Sequence, residues 1–153
     1  MKSKSIMRMN NKVINLMKKQ LFLCLCLTVF STVLNAVEKE TLRLEGATDN
    51  GMFELALYPE KGNASIGDYH NWVIEVKDDH GKAVDDALFN LSGGMAAHGH
   101  GLPSQPIVTK YLGEGQYLIE GMLFNMAGDW SLSVVVQQGD EGDRKKFEMT
   151  LSF

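Results

Sequence analysis

The sequence predicts an all-β fold, an immunoglobulin-like antiparallel β-sandwich of about seven to eight strands. Three observations carry this prediction. From Thr41 onward apolar and polar residues alternate with a period of two, the mark of half-buried strands. Turn signals rich in Gly, Asn and Asp break these runs at short intervals, as sandwiches require. No window of helix length in the same region carries an apolar stripe at a period of 3.6.

Taken in order, the first strand falls near 41–47, and Asp49-Asn-Gly51 turns the chain into a second near 52–58. A polar loop from Pro59 to Asp68 precedes a third strand at 70–77, where Trp72, Ile74 and Val76 alternate with Val73, Glu75 and Lys77. Asp78-Asp-His-Gly81 then turns toward a strand at 87–92. Strands near 107–112 and 116–121 are joined by Gly113-Glu-Gly115. The last pair, 130–137 and 145–152, flanks Gly139-Asp-Glu-Gly-Asp143. In that final strand Phe147, Met149, Leu151 and Phe153 share one face.

Residues 1–36 read as a leader rather than as part of the fold. Lys18 and Lys19 precede an apolar run from Leu21 to Leu34, and Ala36 offers a small residue for cleavage. That is the order of a secretory signal peptide. The run falls short of the ~20 residues of a bilayer-spanning helix. Leu34 stands where a small residue is usual, so an uncleaved N-terminal anchor is the second reading. In both, residues 37–153 form a single exported domain, periplasmic or otherwise extracytoplasmic. Cys24 and Cys26 lie inside the apolar run with no small residue directly before either. A domain starting after Ala36 therefore has no disulfide, thiolate ligand or Cys nucleophile.

Charge narrows the range of partners. All nineteen acidic residues but only nine of the fifteen basic ones follow Ala36, a net charge of −10 against −4 for the whole chain. Such a domain is a poor ligand for nucleic acid or anionic lipid. It suits a soluble protein that attracts cations or a basic partner, and solubility alone is the leading reason for such a charge.

Between the fourth and fifth predicted strands lies the most unusual stretch, Gly93-Gly-Met-Ala-Ala-His-Gly-His-Gly-Leu-Pro-Ser-Gln-Pro106. Gly and Pro at this density predict a shaped loop without regular structure. Met95, His98 and His100 cluster there as soft-metal donors, and Met126 lies in a second glycine-bounded turn, 121–128. Two imidazoles at i and i+2 around Gly99 can curl toward one ion, and thioether sulfur beside imidazole favours Cu(I). The competing reading is structural: methionine beside a strand fills the core, and a Gly-rich loop needs no ligand.

The other candidates are weaker. His70 is expected on the face opposite Trp72's neighbours or at a sheet edge, and His80 in a solvated turn. Trp72 and Trp130 are expected as core anchors, with Trp130 able to pack beside the Met126 turn. Asp140, Glu141 and Asp143 read as a solvated hairpin tip, because they lack the ligand count of a calcium loop. No His-Glu-x-x-His, Gly-x-Ser-x-Gly or phosphate-loop pattern occurs, so a non-enzyme is expected.

Several pieces together resemble the YtkA-like and FixH-like family of exported domains. They are Trp72 before Asp-His-Gly81, Met95-Ala-Ala-His-Gly-His-Gly101 with Pro103, Gly115-Gln-Tyr-Leu-Ile-Glu-Gly121, Phe124, and Met126-Ala-Gly-Asp-Trp130. The resemblance implies a small extracytoplasmic β-sandwich, discussed around respiratory oxidase assembly and copper handling, with no established catalytic activity. The leading expectation is an accessory domain binding copper, as Cu(I), transiently through Met95, His98, His100 and Met126. Its partner would be a membrane respiratory complex or a copper-handling protein. The alternative is a metal-free interaction module whose Met/His/Pro loop docks on a membrane complex. Lack of cysteine after cleavage argues against a blue-copper centre, since that needs a thiolate.

Overall fold

The computed structural model describes residues 41–153. The leader, and with it the expected cleavage after Ala36, lies outside the described residues. Among the described residues nine strands form two antiparallel sheets. The alternating runs account for β1 (Leu44–Ala47), β2 (Phe53–Pro59), β3 (Tyr69–Asp78), β4 (Leu88–Met95), β6 (Ile107–Gly113), β7 (Gln116–Leu123), β8 (Gly128–Gln138) and β9 (Glu141–Leu151). The ninth, β5 (His100–Gly101), lies inside the stretch read as an irregular loop. One sheet has the order β1-β2-β3-β7-β6 and the other β5-β4-β8-β9.

Most of the strands turn an apolar set inward, the edge strand β6 being an exception. Leu55, Leu57, Trp72, Ile74, Val76, Ile119, Phe124, Trp130, Leu132, Val134, Val136 and Phe147 meet in one core between the sheets. Trp72 and Trp130 are fully buried, as their positions on alternating strands predict. A single slip of register would turn each of these sets to solvent, so the pattern pins the pairing. β3 and β7 shift register between His70 and Trp72, and Gly121 takes φ 82° on the bulged side. Bulges re-aim side chains, and this one sits beside His70.

The two flanks of the sandwich differ. At the β1/β9 flank the Asp49 N–H donates to the Arg144 carbonyl at 2.7 Å. Asp143 accepts there from the Asn50 N–H at 2.9 Å and from Asn50 Nδ2 at 2.8 Å. Asp143 is 5% exposed, which corrects its reading as part of a solvated tip. The β8–β9 ladder runs on to Gln138↔Glu141, so the turn is only Gly139-Asp140 and Asp143 lies within a strand. At the opposite flank, β4 and β6 face each other across a groove.

Candidate functional site

Two glycines make the Met/His stretch a hairpin. A Cβ on Gly93 would stand 2.4 Å from the Ser131 carbonyl oxygen, and one on Gly94 2.3 Å from the His100 carbonyl oxygen. Neither distance admits a side chain, so bare backbone lets β4 pass between β8 and the returning β5. The expected irregular loop is thus replaced by strand through Met95, a 3₁₀ turn over Ala96–His98, and β5. Gly99 ends the turn at φ 67°, its N–H donating to the Ala96 carbonyl at 3.2 Å.

The hairpin brings three of the four predicted donors together. Met95 pairs directly with His100 across the β4–β5 ladder, so both side chains leave the same face of the hairpin. The His98 and His100 rings lie 5.9 Å apart, centroid to centroid. Two imidazoles on one ion, with bonds of about 2 Å, hold their centroids no more than about 6.4 Å apart. The observed spacing falls inside that limit. His100 Nδ1 lies 2.9 Å from the Gly101 carbonyl oxygen. A carbonyl only accepts, so Nδ1 carries the proton and Nε2 keeps its lone pair. Metal-ligating histidines are commonly oriented by a backbone carbonyl in this way.

Methionine supplies the floor. Met95 is only 2% exposed, and a Cβ on Gly128 would stand 2.7 Å from its terminal methyl. Gly128 opens β8 two residues after Met126. Met126 packs against the core, and its carbonyl accepts from Trp130 Nε1 at 3.1 Å. The Trp130 ring stands edge-on to His100, 5.9 Å away at 67°. Trp130 therefore packs beside the Met126 turn as expected, and it also backs His100. Both histidines are exposed, so the imidazoles face solvent above a sulfur-bearing apolar floor.

The remaining histidines lie elsewhere. His70 is half-buried and its Nδ1 accepts from Trp72 Nε1 at 2.7 Å. Its Nε2 must then carry the proton toward the Ser65 carbonyl oxygen at 3.3 Å. With both nitrogens engaged, His70 has no lone pair for a metal, and it shares a side with Trp72 rather than opposing it. Burial lowers its pKa below the usual imidazole value, outweighing the Ser65 bond and Asp68. His80 is exposed in its turn beside Asp79, as predicted. Among the described residues no three His, Cys, Asp or Glu side chains converge as a metal group.

Reasoning from sequence missed the Gly101 carbonyl behind His100 and the seat of Met95 on Gly128. Backbone acceptors leave no trace in a sequence, and the Gly93-Gly94 pair signals a turn as readily as a close approach. Comparison with known families matches residues 47–135, from the end of β1 into β8, to the family described as YtkA-like. No curated protein and no solved structure matches the chain. Among the described residues no helix is long and apolar enough to cross a membrane.

Proposed function

We propose that this chain, which belongs to the YtkA-like family, is an exported accessory domain that binds Cu(I) transiently at the β4–β5 hairpin. His98 and His100 would supply imidazole, Met95 thioether from below, and Met126 a second sulfur at the margin. The carrying observation is His100, whose Nδ1–H is committed to the Gly101 carbonyl while Nε2 remains open 5.9 Å, ring to ring, from His98. Imidazole with thioether suits a soft monovalent ion better than Zn²⁺, Ca²⁺ or Mg²⁺. Exposure of both rings suits acceptance and release, as copper delivery to a respiratory oxidase or general extracytoplasmic copper handling demands.

The test is a Cu(I) competition titration of the protein and of the double variant His98→Ala, His100→Ala under reducing conditions. Binding should be one-to-one and should weaken on acidification, because ligating imidazoles must be unprotonated. Trp130 fluorescence should change on loading, since its ring lies against His100; only Trp72 shares the signal. Equal affinities for the two proteins would remove the site. No binding by either would defeat the copper reading and leave the docking-module reading.

A further inference from the structure

We infer that the open flank of the sandwich, between β4 and β6, is a docking groove for an extended, uncharged peptide that joins β4 as an added strand. The proposal does not depend on copper. The groove encloses about 780 Å³ and is walled by residues 87–93 on one side and by 102 and 104–108 on the other. Unlike the β1/β9 flank, it has no Asp143-like clasp between its walls.

The backbone of β4 defines the occupant's conformation. β5 is only two residues long and covers β4 at Gly94 and Met95 alone. Beyond it, the Leu102 N–H donates to the Gly93 carbonyl at 2.9 Å, so Gly93 points its peptide groups away from β8. Strand alternation then points those of Leu91 and Phe89 the same way. No strand of the described residues pairs with that edge between Leu88 and Gly93. A row of such donors and acceptors is a template for an added strand.

The lining defines its chemistry. None of the residues walling the groove is charged, although residues 41–153 hold seventeen acidic and eight basic side chains. Charge is a common guard on edge strands; β9, at the other flank, carries Arg144, Lys145 and Lys146, whereas β4 carries none. Leu88 is 68% and Ile107 60% exposed at the rim. An uncharged extended segment meets each of these features, while a charged one would be desolvated without a counter-ion. Leu102 lines the groove two residues after His100, so a seated peptide would end beside the hairpin.

The test is amide hydrogen exchange and NMR titration of the full chain with a blocked, short peptide alternating Val and Thr. Saturating peptide should protect the Phe89 and Leu91 amides. Replacing alternate residues of the peptide by proline, or introducing Lys and Glu, should weaken binding by about tenfold or more. The exposed changes Ser92→Lys and Gln105→Lys should have the same effect with the thermal midpoint unchanged. Peptide-independent exchange at Phe89 and Leu91 would overturn the proposal, as would equal affinity for the charged or proline-bearing peptide. Concentration-dependent protection without peptide would overturn it in favour of a second copy of the chain. Protection that disappears when residues before Thr41 are removed would assign the edge to the chain's own leader.

Discussion

Tyr117 takes its hydroxyl into the core and uses it twice. It donates to the Val84 carbonyl at 2.8 Å and accepts from the Ala87 N–H at 3.0 Å, pinning the connection between β3 and β4 to β7. Immunoglobulin-like sandwiches use a corner tyrosine for a similar bond to upstream backbone. Tyr117→Phe keeps the ring but strands two buried backbone groups. It should cost about 1–3 kcal/mol in a urea titration and leave copper affinity unchanged. The two classes of histidine should separate just as cleanly. His70→Ala orphans the buried Trp72 N–H and should destabilise by a similar ~1–3 kcal/mol, with no loss of copper. His98→Ala should shift stability by no more than about 0.5 kcal/mol and weaken copper. If His70→Ala lowered copper affinity as strongly as His98→Ala, the assignment of ligands would be wrong.

At the scale of the element, the hairpin depends on glycine for space more than for turning. Gly94→Ala would press its Cβ into the His100 carbonyl, which can yield only if β5 lifts away from β4. The Met95–His100 pairing would then open, and Cu(I) affinity should fall about tenfold or more while the β4–β8 ladder persists. Gly99→Ala meets nothing within 4 Å but must hold φ 67°, at a cost of about 1 kcal/mol. Retained copper affinity in Gly94→Ala would dissociate the site from the hairpin. The contrast also marks what the sequence disclosed. Alternation made eight strands legible to within a few residues, because burial of one face enforces a period of two. That Met95, His98 and His100 lie close together was legible from their spacing. The strand through Gly93-Gly94-Met95 was not, since glycine signals a turn and a close approach alike, and only β8 and β5 decide between them. Asp143 was misread for a related reason: its partner Asn50 lies 93 residues away, and no local pattern encodes that distance.

At the scale of the whole molecule, the sandwich is clasped on one flank and open on the other, and the clasp is sensitive to acid. Burial alone would raise the Asp143 pKa, but hydrogen bonds from Thr48, Arg144, Asn50 and Met52 outweigh it and hold the carboxyl at about 2. In the unfolded chain the same group titrates near its ordinary value of 3.8. Between these values the unfolded state binds the proton and the folded state does not, so stability falls with pH across that window. Above 3.8 the contribution is present in full; it is lost as pH drops toward about 2. Asp143→Asn removes the titration and replaces one acceptor oxygen by a donor facing N–H groups. The variant should be less stable than the native chain at neutral pH, and the gap between them should close as pH falls from about 4 to about 2. Urea midpoints of both proteins across that range provide the measurement. Because other carboxylates titrate in both, only the difference between the two curves bears on the clasp. A gap that stays constant through the window would mean that Asp143 is not held ionised by the β1–β2 turn. The open flank contains no such group, so its exchange at Phe89 and Leu91 should not follow the Asp143 titration.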